Sequence, residues 1–331
     1  FPSRARVPPR LIPGIWSGPA CKDGPVGELV LYRGVMVDSE RWERFEHRPG
    51  DIVISTPPKA GTTWTQMLCA LMIFDGPTFP AKLDAISPWL DMRIRSEDEV
   101  FAMYDRQTHR RFIKTHTPLD GLPLHDDVHY VVVGRDPRDV MVSWEHHMAN
   151  MDLGVLIQGR SDAIGLDDLV GFEPPPPPDP DPGVRFRVFV EAEWSPADLV
   201  SLATVLHHLD TGWEHRNDAN VGLFHFLDYR RDLVGEMVRL AELCAIDLDR
   251  DRLAALAPEA GIDRMRDRAH EIVPGLDKSE HWNDPSGFFR SGGAGEWIER
   301  TTPDDRMRYE ERVSELVPAD LAQWAHEGAT R

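Results

Sequence analysis

The chain has 331 residues, with 56 acidic and 37 basic side chains and a formal net charge of -19 at pH 7. This acidic balance argues against proteins that coat nucleic acid or bind anionic membranes, because both roles need a basic surface. Hydrophobic residues make up 41% of the chain, with 10 Trp and 13 Phe, which excludes global disorder and predicts a sizeable buried core.

The sequence features that report on location predict a cytoplasmic protein. No apolar run reaches the roughly 18 residues of a transmembrane helix. The N-terminal segment has neither an initiator Met nor a signal-peptide pattern, so we expect a trimmed chain. Cys21, Cys69 and Cys244 are too few for a disulfide framework and lack the spacing of metal ligands. We expect Cys69, inside an apolar helical run, to be a core residue.

The predicted elements alternate along the chain. A short strand or turn at 29–37 and a helical piece at 39–45 come first. Short apolar runs typical of buried parallel strands follow at 51–55, 111–114, 129–134 and 221–227. Helices are predicted at 62–74, from 136 onward, at 196–213 and from the fourth strand to about 244. This order predicts a single α/β domain over residues 1–331, with a central, mostly parallel sheet flanked by helices.

A proline-rich segment interrupts this alternation. We predict a surface loop over residues 151–193, in which residues 173–183 form an extended polyproline stretch. Three roles remain open for the loop: a spacer, a docking site for a proline-recognising partner, or a lid over the active site. We do not expect a domain boundary there, because the following helix and strand are needed to complete the same sheet.

The segment between the first predicted strand and its helix has the features of a phosphate-binding loop. A helix N-terminus binds anions through its free N–H groups and its positive dipole end. A glycine lets the backbone approach a phosphate, a lysine adds charge, threonine hydroxyls add donors, and a tryptophan offers a flat face for a base. The kinase pattern GxxxxGK(S/T) is absent, because Lys59 precedes Gly61. The predicted binding residues of this loop are Lys59, Ala60, Gly61, Thr62, Thr63 and Trp64.

Three motifs in sequence order resemble those of one enzyme family. Residues 58–64, PKAGTTW, resemble the PKSGTTW loop of sulfotransferases, which use 3'-phosphoadenosine 5'-phosphosulfate (PAPS). Residues 135–143, RDPRDVMVS, look like the family's RNPxDVxxS segment, and 288–297, FFRSGGAGEW, are similar to its RKGxxGDW loop. The agreement covers roughly residues 40–300. It implies a P-loop-like α/β fold, PAPS as the sulfuryl donor and no required metal.

The resemblance also implies which residues hold the 3'-phosphate of the donor. Arg135, whose guanidinium can bind phosphate bidentately, and Ser143 match the residues that clasp this group in the family. Ser291 replaces the usual lysine of the third motif, which removes one positive charge. The residues implied for the loop that closes over the phosphate are Phe288, Arg290, Ser291 and Gly292.

The predicted catalytic residues lie at a strand end. Residues 114–119, KTHTPL, are similar to the family's KTHxPL, whose histidine removes the acceptor proton, so the resemblance implies that His116 is the general base. Lys114 points to the same side as His116 and would contact the transferring group. Lys59 would stabilise the 5'-phosphate oxygen of PAPS, which takes up negative charge as it leaves the sulfur. Pro118 is expected to wall the acceptor pocket beside His116.

Several positions depart from the family or leave alternatives open. Ile262 replaces an aromatic residue beside the adenine, and Leu227 replaces a tyrosine unless the register shifts by two and Tyr229 takes that place. His146 and His147 follow Ser143 and either line the acceptor pocket or lie on the helix surface.

Sulfuryl transfer from PAPS to a hydroxyl of a small alcohol, phenol, sterol or lipid is the predicted reaction, by in-line displacement. The alternatives are a phosphoryl-transfer enzyme of similar fold and a non-catalytic nucleotide-binding scaffold. The sequence leaves the acceptor and the oligomeric state open.

Overall fold

The computed structural model describes residues 29–170, 177–273, 282–289 and 293–328. Within these ranges four strands form one sheet in the order β2-β1-β3-β4, and every pair of neighbours is parallel. The strands are β1 (Ile52–Ser55), β2 (Phe112–Thr115), β3 (His129–Gly134) and β4 (Val221–His225). The predicted α/β fold with a parallel sheet is therefore confirmed.

The register of the sheet brings the ends of three strands to one level. Ser55, the last residue of β1, pairs with Thr115 at the end of β2 and with Val132 near the end of β3. Ligands of open α/β sheets bind at the carboxyl ends of the strands. The loops that carry the predicted phosphate-binding and catalytic residues begin at this edge.

Helices flank the sheet. The α-helices of the described residues are α1 (Arg41–Arg44), α2 (Thr62–Ile73), α3 (Leu83–Ile86), α4 (Glu97–Asp105), α5 (Pro137–Ala149), α6 (Leu153–Ile164), α7 (Pro182–Glu191), α8 (Leu202–Glu214), α9 (Phe226–Arg231), α10 (Leu233–Leu243), α11 (Arg250–Leu256), α12 (Ile262–Asp267), α13 (Ala269–Ile272), α14 (Pro303–Leu316) and α15 (Ala319–Glu327). Short 3-10 helices lie at Leu119–Gly121, Asp167–Leu169, Ala257–Ala260, Pro285–Phe289 and Glu296–Arg300.

Both faces of the sheet are buried, which explains why the strands are apolar on both sides. Ile54 and Val131 pack in a cluster with residues of α2 and α10, whereas Val53 and Val132 belong to a second cluster on the other face. On that second face α8 approaches closely, because a Cβ atom on Gly212 would lie 2.9 Å from Val132 Cγ1. Cys69 is buried in the first cluster, as expected.

Two element boundaries differ from the prediction for local reasons. The fourth strand ends at His225 instead of residue 227, because His225 Nδ1 accepts a hydrogen bond from the Leu227 N–H at 3.2 Å and caps α9. The helix expected from residue 196 begins at Leu202, where the Ser201 side chain accepts from the Thr204 N–H. Residues 29–37 contain isolated bridges and no strand.

The predicted loop over residues 151–193 is wrong for most of the segment, which contains α6 and α7. Asp152 caps α6, and Asp181 caps α7 with Pro182 in the first helical position, a combination that favours helix initiation. Residues 171–176, which include part of the proline run, lie outside the described residues. Residues 177–181 are exposed and form no helix or strand. None of the helices in the described ranges has the length and apolar character needed to cross a membrane.

Candidate active site

A cavity of about 610 Å³ lies at the carboxyl edge of the sheet. Its wall contains residues from the ends of β1, β2 and β3, from α5, and from the 282–289 segment. The structure therefore brings most of the predicted site residues together. Those that line the cavity are Lys59, Gly61, Thr62, Thr63, Trp64, Lys114, His116, Arg135, Ser143, His147, Ile262 and Phe288.

Other predicted site residues lie elsewhere. Ala60 and Pro118 are buried outside the cavity wall, Pro118 at the start of a 3-10 helix. His146 does not line the cavity; its Nε2 is 3.3 Å from Oε1 of Glu296, which does, and 3.0 Å from an Arg300 nitrogen. Pro118 and His146, which were predicted to wall the acceptor pocket, are therefore not among the residues that line this cavity. Arg290, Ser291 and Gly292 lie outside the described residues.

The loop predicted to bind phosphate, residues 58–64, has an unusual backbone. Lys59 has φ 66° and Gly61 has φ 120°, both in the left-handed region. Gly61 is the N-cap of α2, so no N-cap side chain covers the first N–H groups of that helix. The hydroxyl of Thr62 lies 2.5 Å from the hydroxyl of Thr56 and ties the loop to the end of β1. The N–H groups without a side-chain cap and the dipole of α2 suit an anion.

Lys59 lies among other cations. Burial, reinforced by the charges of Arg135 and Lys114, lowers the pKa of Lys59 to about 7. Its Nζ is 3.2 Å from His147 Nδ1 and 4.5 Å from the ring centre of Phe288. A cavity that places three cationic side chains together, in a chain of net charge -19, favours a polyanionic ligand, which would raise the pKa of Lys59 again.

Arg135 connects the phosphate-binding loop with the C-terminal motif. It donates one hydrogen bond to the Lys59 carbonyl oxygen at 2.9 Å and another to the Gly293 carbonyl oxygen at 3.1 Å. The Gly295 N–H in turn donates to Asp139 Oδ1 at 2.8 Å, in the first turn of α5. Ser143, also on α5, lines the cavity. The first, second and third motifs thus converge on one wall.

His116 has the geometry of a base. Its Nδ1 lies 2.7 Å from the carbonyl oxygen of Thr56, which can only accept a hydrogen bond, so Nδ1 carries the proton and Nε2 of the neutral ring keeps its lone pair. Burial, and then the nearby Lys114 charge, hold the pKa of His116 well below its usual value. The imidazole is therefore neutral at pH 7 and able to accept a proton.

Sequence reasoning missed Trp89, which contacts both Lys114 in β2 and His116 just after that strand. The Lys114 ammonium is 4.5 Å from its ring centre, and the His116 ring meets it edge-on at 4.6 Å. Burial lowers the pKa of Lys114 to about 8, against the opposing charges of Asp84 and Asp91. No motif marks Trp89, because its role arises from a packing contact between distant segments.

Asp91 organises the chain on either side of His116. One of its carboxylate oxygens, Oδ2, accepts hydrogen bonds from the hydroxyls of Thr115 and Thr117, each at 2.6 Å. The same oxygen accepts from the Trp42 indole N–H at 3.0 Å. The backbone that carries His116 is therefore held by a buried carboxylate, another residue that the sequence did not reveal.

The aromatic residues near the predicted adenine site form one cluster. The Trp64 ring meets Phe226 and Tyr229 edge-on, with ring centres 5.4 Å apart in both pairs. Tyr229 lines the cavity and Leu227 does not, so the structure places the tyrosine of the shifted register beside Trp64. Ile262 lines the cavity from the first position of α12.

Much of the remaining wall is apolar and was not predicted. We call these side chains the apolar wall: Met36, Met92, Ile94, Met148, Met151, Leu153, Leu156 and Leu199. Methionine is flexible and fills irregular space, so such a wall can adapt to an aliphatic ligand. Among the described residues no cluster of His, Cys, Asp and Glu could hold a metal ion.

The chain matches known proteins along most of its length. A family model described as the sulfotransferase domain matches residues 49–320. Glycolipid sulfotransferases of Mycobacterium bovis and Mycobacterium tuberculosis are each 43% identical to it, over 92% of this chain and 96% of their own. The sulfotransferase 1 family member D1 of Mus musculus is 25% identical, over 86% of this chain and 91% of its own.

Solved structures share the fold. A mouse sulfotransferase complexed with PAP has a TM-score of 0.60 at 20% identity, covering 86% of this chain and 92% of that chain. Retinol dehydratase in complex with androsterone and inactive cofactor PAP has a TM-score of 0.58 at 20% identity, with 89% and 88% covered. The family model and the mycobacterial relatives show that the chain belongs to the sulfotransferase family.

Proposed function

We propose that this enzyme transfers the sulfuryl group of PAPS to a hydroxyl group of a glycolipid. The observation that carries the proposal is the neutral His116, with its Nε2 lone pair available, in the same cavity as Lys59, Lys114 and Arg135. One cavity thus combines a base for the acceptor with cations for an anionic donor. The two structural neighbours were solved with PAP, which is adenosine 3',5'-bisphosphate, the product of this donor.

The residues on the wall suit the parts of the donor. The 5'-phosphosulfate fits the N-terminus of α2, where Gly61 has no side chain to cap the backbone N–H groups. Arg135 and Ser143 face the cavity where a 3'-phosphate would add its charge, and Trp64 and Ile262 offer surfaces for adenine. The depressed pKa of Lys59 supports this placement, because a polyanion would relieve the repulsion among the cations.

The proposed chemical step is an in-line displacement at sulfur. The acceptor oxygen forms a bond to sulfur while the bond between sulfur and the 5'-phosphate oxygen breaks, and PAP leaves. His116 Nε2 takes the proton of the acceptor hydroxyl. Lys59 stabilises the negative charge that develops on the leaving oxygen, and Lys114 stabilises the sulfuryl oxygens. Positioning and charge stabilisation therefore account for the role of each group.

The apolar wall supports a lipid as the acceptor. Flexible apolar side chains bind an aliphatic chain, whereas the reacting hydroxyl has to reach His116 at the polar part of the cavity. The mycobacterial relatives are named glycolipid sulfotransferases, which favours a sugar hydroxyl of a glycolipid over a phenol or a sterol. The cytoplasmic location and the independence of metal stay predictions from the sequence.

The test is a transfer assay with radiolabelled PAPS and three acceptor classes: glycolipids, hydroxysteroids and phenols. We expect labelled glycolipid, in a reaction that continues in EDTA, and no turnover of ATP under the same conditions. Absence of transfer to every acceptor, with the folded enzyme still failing to bind PAP, would reject the proposal. Transfer to phenols alone would retain the donor and reject the acceptor.

A further inference from the structure

The contact between Lys59 and His147 is not used in the reaction proposed above. His147 lies on α5, four residues after Ser143, and lines the cavity. We propose that His147 is a positioning residue, which holds the Lys59 ammonium by a hydrogen bond until the donor binds. This inference rests on the function proposed above, since it concerns the lysine assigned to the leaving oxygen.

When Lys59 carries its proton, the contact sets the tautomer of the imidazole. Lys59 Nζ and His147 Nδ1 are 3.2 Å apart, and an ammonium group can donate but not accept a hydrogen bond. Nδ1 must then present its lone pair, and the proton of the neutral ring lies on Nε2. Phe288 contributes the face of its ring to the same ammonium at 4.5 Å, so Lys59 is held by two groups from different segments.

The His147 ring is itself held by aromatic neighbours. It stacks on Trp144, with ring centres 5.5 Å apart and an interplanar angle of 29°. The ring centres of Trp282 and Phe288 lie 4.9 Å and 5.7 Å from the centre of the His147 ring. These contacts come from α5 and from residues 282–289, and they fix the direction of Nδ1. A hydrogen-bond acceptor with a fixed orientation positions a flexible lysine better than a mobile acceptor does.

Because Lys59 lies among other positive charges, the hydrogen bond to His147 should affect the pKa of this lysine. Burial with Arg135 and Lys114 already lowers the pKa of Lys59 to about 7, and removing an acceptor of its ammonium would lower the pKa further. Binding of an anion has the opposite effect, so donor binding near pH 7 should take up a proton. The other titratable or charged residues on the cavity wall are His116, Asp139, Tyr229, Arg230 and Glu296.

The experiment measures proton uptake when PAP binds, by calorimetry at several pH values in two buffers of different ionisation enthalpy. Wild type is compared with His147→Phe, which keeps an aromatic ring without the acceptor, and with His147→Asn, whose side-chain oxygen replaces Nδ1. We expect the midpoint of proton uptake to shift about one pH unit lower in His147→Phe, the scale of one hydrogen bond to a charged group. The His147→Asn enzyme should remain near wild type.

The possible outcomes separate this inference from the proposed function. Identical uptake curves for all three proteins, or PAP binding without proton uptake in wild type, would overturn the role of His147. Failure of the folded wild type to bind PAP would instead overturn the proposed donor. His147→Leu serves as a second variant without an acceptor if His147→Phe does not fold, and melting curves establish which proteins are folded.

Discussion

The two parts of the active-site cavity are built differently. In the polar part, His116 and Arg135 are hydrogen-bonded to backbone carbonyl oxygens, and the Lys59 and Lys114 ammonium groups lie against aromatic rings. The apolar wall consists of aliphatic side chains, half of them methionines. The polar groups therefore have defined positions, whereas the apolar side chains can adapt. From this difference we expect the reacting groups to be positioned precisely and the acceptor-binding surface to accept ligands of different shape.

The supporting elements differ in the same way. The polar groups lie within or just after β1, β2 and β3, whose relative positions are set by the register of the sheet. Residues of the apolar wall come from loops and from α5 and α6, which the sheet does not align directly. Changes in the polar part should alter turnover, and changes in the apolar wall should alter acceptor binding.

The largest effect is expected from His116→Ala. Loss of a general base should lower kcat by roughly 10²–10⁴, while PAP affinity stays within about threefold, because the imidazole serves the acceptor. Steady-state kinetics with PAPS and calorimetry with PAP measure the two quantities. His146→Ala is the matched control, since that ring lies outside the cavity wall. Normal turnover of a well-folded His116→Ala protein would remove His116 as the base.

Lys59→Ala should lower kcat by at least about 10², because it removes charge stabilisation at the leaving oxygen. It should also weaken PAP binding, since the ammonium faces the phosphate side before the reaction. The same two assays apply, with exposed Lys82→Ala as the control for loss of one lysine. A variant with normal kcat and only a raised KM for PAPS would limit Lys59 to donor binding.

The pH dependence tests the polar part without a mutation. A rise in pH through about 7 removes the proton from Lys59 in the free enzyme, so kcat/KM for PAPS should fall by about tenfold per pH unit above that point. The lowered pKa of His116 should keep the acidic limb below the usual pKa of imidazole. A profile that stays flat to about pH 9 would contradict a perturbed Lys59.

The smallest effect is expected from Leu156→Ala in the apolar wall. Loss of this buried side chain should raise the KM of a lipid acceptor by about tenfold and leave the KM of PAPS unchanged. Initial rates over both substrate concentrations give the two constants. Val188→Ala is the control, because Val188 is 65% exposed and absent from the cavity wall. A larger change in the PAPS constant would show that the two parts are not separable.

The sequence predicted the polar part better than the apolar wall, for a physical reason. Lys59, His116 and Arg135 each follow a buried apolar strand within a few residues, and parallel strands bring their carboxyl ends to one edge. Their convergence is thus implied by local patterns. Trp89 and Met36 reach the cavity from irregular segments, and no local pattern indicates where such segments pack.

The errors in the sequence reading also have identifiable causes. The proline run dominated the interpretation of residues 151–193, although Asp152 and Asp181 with Pro182 are recognisable helix starts. His146 and His147 remained equivalent alternatives because neighbouring residues on a helix point about 100° apart, and only packing decides which one faces inward. The structure answers that question through the contacts of each ring.

The left-handed backbone of Lys59 places opposing demands on residue 59: folding stability favours glycine there, whereas the proposed reaction needs a lysine. A residue with a Cβ atom at φ 66° costs about 1 kcal/mol relative to glycine, which adopts this conformation freely. Selection for stability alone would therefore favour glycine at residue 59, whereas the proposed chemistry needs an ammonium group there. The lysine therefore adopts a conformation that its side chain disfavours, and attempts to stabilise this enzyme by improving its backbone should leave residue 59 unchanged.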